Sequence, residues 1–309
     1  MARTVMVGVD GSRESLAAAD WAAREALRRE LPLCLVHVRE PDPYASLVSS
    51  QEAREQWAGR EPRRTADDLA VRYPMLEVTT EQLTGRPAEV LTGAAEQAEV
   101  LVLGSRGLGA VAGFLVGSVA LSTVARVRCP VVLVRAGTAG EGARPTGADA
   151  DPPEVPRPAE IPEDPAPYRD VVLGLELYRP CEELLAFAFD AAARRGAALR
   201  VVHGWNPPLV YGLDPIVVDP GLAADLAAES SRVLNDALRP WHGKYPDVEV
   251  RARAVIGRPA HHLLEAAADA SLVVVGRRNR RSRIGFHIGP VTHAVMHHCA
   301  VPVAVVPHG

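Results

Sequence analysis

Three glycines and a serine, spaced Gly104-x2-Gly107-x9-Gly117-Ser118, are the residues of this chain best suited to chemistry. Glycines in a loop let backbone N–H groups approach a polyanion with no Cβ in the way. Ser118 reads as the N-cap of a following helix, where open amides and the helix dipole favour phosphate. Arg106, between the first two glycines, can add a cation. A carboxylate lies far upstream, in Gly8-Val9-Asp10-Gly11-Ser12. Asp10 can in principle activate water, yet a carboxylate at the end of a first strand more simply accepts a hydrogen bond from a sugar. The glycine spacing does not fit the dinucleotide fingerprint, and no Gly-Lys-Ser/Thr closes the loop as a Walker A motif requires. On spacing alone, such a turn also occurs in many proteins that bind no phosphate.

These residues need elements to position them. Residues 4–9, 33–38, 76–83, 100–103 and 131–134 read as strands. Leu16, Ala19, Trp21, Ala23 and Leu27 recur at helical spacing up to Arg29, and 51–71, 86–97 and 118–127 also read as helices. Pro87 suits a first helical turn, and 41–50 reads as loop. Strands alternating with helices predict a doubly wound parallel α/β sheet. Ligands bind such sheets at the carboxyl ends of the strands that flank the reversal of strand order. The Asp10 turn and the glycine loop both follow strands that can meet there.

The whole unit occurs twice. Asp10 and Glu176 are 166 residues apart, as are His37 and His203. Gly104 and Gly276 are 172 apart, as are Gly85 and Gly257, Gly117 and Gly289, and Pro130 and Pro302. One offset that changes once means two domain-sized copies, with a longer connection in the second. The expected division is a first domain over 1–136, a linker over 137–167 and a second domain over 168–309. The linker is rich in Pro, Gly, Ala and acids and is expected to be a mobile tether. In the second copy Glu176 replaces Asp10, Gly204 replaces Val38, Asn279 replaces Gly107 and Pro290 replaces Ser118. Arg277, Arg278, Arg280, Arg281 and Arg283 crowd its loop. Either that site has decayed to a solvated basic loop, or it takes an anion with different geometry.

The 309 residues are 48% apolar and 23% charged, with a net charge of −4. That balance gives no reason to expect nucleic acid or an anionic membrane as partner. Apolar runs such as VPVAVV are strand-length and far short of a bilayer span. No secretion signal opens the chain, and a cytoplasmic location is expected. Cys34, Cys129, Cys181 and Cys299 are scattered and read as buried or incidental thiols. His293 and His297, one helical turn apart, lack an obvious third metal ligand. His37 and His203 suggest a structural role at a strand end. No Ser/His/Asp order, paired carboxylates or nucleophile elbow is found, so no efficient enzyme is expected.

Taken with Val7-Gly-Val-Asp-Gly-Ser12 and the ending Arg128-Cys-Pro-Val-Val-Leu-Val134, the glycine spacing resembles the universal stress protein family in its ATP-binding branch. The resemblance covers both halves and implies a tandem protein whose domains each hold a five-stranded parallel sheet of order 3-2-1-4-5. It implies ATP, with or without Mg2+, as ligand. Gly8 and Asp10 would lie near the ribose and adenine, and the backbone of Val38 would meet the adenine edge. Gly104, Arg106, Gly107, Gly117, Ser118 and Val119 would surround the ribose and phosphates. The last strands would pair, making an internal pseudo-dimer and leaving a further homodimer open. The expected function is a nucleotide-dependent sensor or interaction module with an unknown protein partner, holding ATP mainly in the first domain. A slow ATPase on the same site and a nucleotide-free scaffold are the alternatives.

Overall fold

A computed structural model of the chain describes residues 3–40, 60–105, 116–137, 169–177, 181–205, 220–279 and 288–309. Loop 41–50, Arg106, Gly107, Arg280, Arg281, Arg283 and the linker beyond Gly137 lie outside the described residues. The first copy runs β1 (Thr4–Gly8), α1 (Arg13–Arg29), β2 (Leu33–Arg39), α2 (Arg60–Arg72), β3 (Val78–Thr84), α3 (Pro87–Ala94), β4 (Ala98–Ser105), α4 (Ser118–Val124) and β5 (Val131–Arg135). The second runs β6 (Val171–Gly174), α5 (Glu182–Arg195), β7 (Leu199–Trp205), α6 (Pro220–Lys244), β8 (Val250–Ile256), α7 (Pro259–Ala267), β9 (Leu272–Arg278), α8 (Pro290–His298) and β10 (Val303–His308).

Local chemistry explains the key helix of the first copy. Ser12 caps α1 by accepting the Ser15 amide at 3.2 Å. Ala18, Ala22 and Ala26 then bury a narrow face beside Trp21, which lets the helix lie close to the sheet. The helix ends where Glu30 turns left-handed, at φ 54°, and its amide bonds back to Ala26 and Leu27. In the second copy the same position is Gly196, at φ 55°.

The strands form one sheet in the order β3-β2-β1-β4-β5-β10-β9-β6-β7-β8. Each copy therefore has the order 3-2-1-4-5, as the resemblance implied. Pairing is parallel within each copy, and the last strands meet antiparallel, with Val303 opposite Leu133 and Val305 opposite Val131. The apolar layers on the two faces each take residues from both copies. Burial of both faces explains why β4, β5 and β9 are nearly continuous apolar runs.

The copies also share a buried charge cluster on the α1–α5 face. Glu25, 1% exposed, accepts from Arg29 Nε at 2.7 Å and from Arg195 Nη2 of the other copy at 2.7 Å. Arg29 continues to Asp190 at 3.2 Å, which also pairs with Arg194 at 2.8 Å. Arg29 and Arg195 are counterparts, and each lies over the other copy's aromatic ring. Arg29 Cζ is 5.3 Å from the Phe187 centroid, and Arg195 Cζ is 5.8 Å from Trp21. Burial alone would raise the Glu25 carboxyl, but Arg195, Arg29 and Arg28 together hold it at about 2.

Candidate functional site

In the first copy the strand order reverses between β1 and β4, so the tip of these strands is where a ligand is expected. The chain leaves β1 through a tight polar turn. Asp10 Oδ1 accepts from the Ser12 amide at 3.0 Å and from the Ser12 hydroxyl at 2.5 Å. Ser15 Oγ in turn accepts from the Asp10 amide at 3.3 Å. Asp10 is exposed, so a carboxylate with a set orientation stands at the tip.

His37 controls how the neighbouring ladder ends. Val9 N–H reaches Val36 O at 2.9 Å, and the next ladder bond would bring Val38 N–H to Val9 O. Instead, the His37 ring donates Nδ1–H to Val9 O at 2.9 Å. Because Arg39 O serves Gly85 N on the β3 side, alternation along β2 turns the Val38 amide and carbonyl toward β1, beyond its last paired residue, Gly8. The Val38 side chain meanwhile packs into the core on the other side. A backbone donor and acceptor are thus offered side by side at the tip.

The glycines divide into packing positions and an open one. A Cβ on Gly104 would stand 2.7–2.8 Å from backbone atoms of Glu14 and Ser15, so the first turn of α1 requires glycine there. A Cβ on Gly8 would lie 2.9 Å from Leu103 Cδ2, inside the core. Gly117 differs: among the described residues nothing lies within 4 Å of its Cβ position, and its φ of −60° and ψ of 153° suit any residue. Gly117, rather than Ser118, is the N-cap of α4; Ser118 is the first helical residue, and it and Val119 are exposed. The expected capping by the serine hydroxyl is therefore corrected. Glycine already adopts the extended cap conformation, and no side-chain cap bond forms.

In the second copy the described residues of the tip are arranged differently. Glu176 accepts from Arg278 Nη2 at 2.5 Å, joining the counterparts of Asp10 and Arg106. A Cβ on Gly204 would meet Pro259 Cα at 2.6 Å, so the start of α7 occupies the space that the Val38 side chain takes in the first copy. The α5 helix starts at Glu182, whereas the counterpart of the α1 start is 179. Where the first turn of α1 covers Gly104, the His308 ring covers Gly276, with Nε2 2.8 Å from its Cβ position. Pro290 opens α8 without an amide hydrogen. His203 ends its ladder as His37 does, donating to Leu175 O at 2.9 Å.

Burial pushes the thiols of Cys129 and Cys181 up to about 11. The rings of His293 and His297 lie 4.3 Å apart, but among the described residues no group of three or more His, Cys, Asp or Glu could hold a metal. A groove of about 990 Å³ runs between the copies, lined by Arg3, Ala98 and Pro130 on one side and Phe187, Asp190 and Val306 on the other. It lies at the amino ends of β4 and β5, away from Asp10 and Gly117. Arg3 in it pairs with Glu99, and Arg29 and Arg194 pair with Asp190. Among the described residues, no helix is long and apolar enough to cross a membrane.

Comparison with known proteins agrees with the tandem architecture. The model of the Universal stress protein family matches residues 1–135 and again 167–307. The chain belongs to the universal stress protein family. A universal stress protein of Mycobacterium tuberculosis, Rv2005c, is 35% identical over 313 residues, covering 97% of this chain and 96% of that protein. One from Mycolicibacterium smegmatis is 33% identical over 311 residues, covering 98% and 96%. Among solved structures, a universal stress protein from Archaeoglobus fulgidus superposes with a TM-score of 0.67 at 16% identity, covering 99% of this chain and 98% of that one. At that identity it shows the shared fold alone.

Proposed function

We propose that the first copy of this universal stress protein binds an adenine nucleotide, ATP, across the tips of β1, β2 and β4, and that the second copy does not. The observation that carries this reading is the contrast, among the described residues, between Asp10 oriented by its own turn and Glu176 paired with Arg278 on the same fold. The Val38 amide and carbonyl match the acceptor and amino donor that an adenine edge presents side by side. Asp10, oriented by Ser12, suits a ribose hydroxyl. The phosphates would follow the loop from Gly104 through Arg106 and Gly107 to Gly117, Ser118 and Val119; among the described residues nothing lies within 4 Å of the Gly117 Cβ position. Mg2+ would ride on the phosphates, since among the described residues no group of three or more His, Cys, Asp or Glu could hold a metal.

The nucleotide serves as a state marker read by a partner protein rather than as fuel. Efficient hydrolysis needs in-line water, charge stabilisation and a held metal. At this tip the Asp10 carboxylate is already engaged by its own turn. Mass spectrometry of small molecules released from freshly purified protein is expected to find ATP or ADP, and a phosphate-release assay with Mg2+ turnover well below about 1 s⁻¹. Steady turnover above that, lost in Asp10→Ala while nucleotide binding is retained, would make the protein an enzyme. No released nucleotide and no uptake of added ATP would leave the scaffold reading standing.

A further inference from the structure

Each copy reaches across the β5–β10 junction with one buried arginine and holds the carboxyl end of the other copy's last helix. Arg135, 4% exposed at the end of β5, donates Nη2 to Met296 O at 2.8 Å, in the last turn of α8. Arg277, 4% exposed in β9, donates Nη1 to Ala125 O at 3.3 Å and Nη2 to Val127 O, just past the end of α4. Carbonyls at a helix C-terminus lack intrahelical donors and carry the negative end of the dipole, so a guanidinium is a fitting partner. Burial brings Arg135 down to about 10 and also lowers Arg277, and both remain charged at neutral pH.

The two arginines are not counterparts. By the 172 offset Arg135 corresponds to Pro307, and Arg277 corresponds to Ser105. The first copy therefore has no arginine at the position from which the second copy holds α4. This helix spans only seven residues, about 10 Å, with Gly117 and Ser118 at one end and the Arg277 bonds at the other. Fixing one end of so short a rod fixes the other.

We propose that Arg277 of the second copy is a positioning residue for the nucleotide site of the first: by gripping the carboxyl end of α4 it sets the place of Gly117 and Ser118. The inference rests on the reading that the first copy binds ATP. It gives the second copy a role, as the support that completes its neighbour's site.

Calorimetry with ATP on the full chain tests it, together with hydrogen exchange across 118–127. Arg277→Met is expected to weaken ATP about fivefold or more and to speed exchange in that segment. Arg277→Lys, which keeps a cationic donor, is expected to recover most of the affinity. Arg135→Met removes the matching grip on α8 and is expected to leave ATP affinity within about twofold of wild type. Should Arg277→Met fail to fold, Arg277→Gln takes its place. Unchanged affinity in the Arg277 variant, or an equal loss in Arg135→Met, overturns the proposal. A wild-type chain that takes up no ATP removes the proposed function instead. Exchange across 118–127 then decides the positioning, with faster exchange in the variant supporting it and unchanged exchange overturning it.

Discussion

The two tips of the ten-stranded sheet share strand order, the terminating histidine and the glycine pairs Gly8/Gly174, Gly104/Gly276 and Gly117/Gly289, yet among the described residues their carboxylates are engaged differently. In the first copy Asp10 is oriented by its own turn and stands exposed. In the second Glu176 pairs with Arg278, Pro259 fills the place of the Val38 side chain, and His308 lies over Gly276. One longer carboxylate and a few substitutions give the second tip its own ion pair. In the proposed reading the fold alone does not carry binding; the side chains at the tip would. The interface shows the opposite relation, because there the copies complete each other. The buried carboxylate that holds Arg195 comes from the first copy alone, since the counterpart of Glu25 is Ala191.

The largest effect is expected where that complementarity is broken. Glu25→Ala makes the first copy match the second at this position and leaves Arg29 and Arg195 buried without their shared carboxylate. We predict a loss of about 3–5 kcal/mol in denaturant unfolding. The carboxyl is held at about 2, below its ordinary 4.5. Its contribution is therefore complete above about pH 4.5 and is lost as pH falls toward 2. The stability gap between wild type and Glu25→Gln should narrow over that window; a gap constant with pH would show that the ionised carboxylate contributes nothing.

Next come the glycines, which separate packing from ligand. Gly104→Ala drives a Cβ into the backbone of α1 and should cost about 1–3 kcal/mol of stability before any ligand is added. Gly117→Val should cost only about 0.5 kcal/mol of stability, because nothing described stands near its Cβ and only a poorer N-cap results, yet weaken ATP at least tenfold, or about 1.4 kcal/mol. Equal effects of the two substitutions on stability would contradict this division. The smallest effect concerns the helix ends. Glu30→Gly copies Gly196 into a left-handed position and should stabilise the first copy by about 0.5 kcal/mol, measurable as a small rise in melting temperature.

Much of this was legible in the sequence, because repeated glycines at fixed offsets expose a duplication and apolar runs mark parallel strands. Strand order came through the family resemblance and agrees with the structure. The helix predicted over 86–97 stops at Ala94 and closes with a 3₁₀ turn, Ala95–Gln97. The one predicted over 118–127 ends at Val124. Such ends depend on where carbonyls find partners, which periodicity does not record. The role of His37 was legible only as a recurring strand-end histidine; its bond to Val9 O needs the register of β1 against β2. The Glu25–Arg195 and Arg277–Val127 contacts join residues 170 and 150 positions apart and leave no local signal. Pairing of Glu176 with Arg278 likewise appears only once β6 and β9 are side by side.

The most direct measurement is the stoichiometry of ATP binding to the full chain by calorimetry, in the wild type and in Gly117→Val. The account predicts one ATP per chain, with binding weakened at least tenfold by the substitution, a loss of about 1.4 kcal/mol. Two sites of equal affinity, or a single site that Gly117→Val leaves untouched, would contradict it.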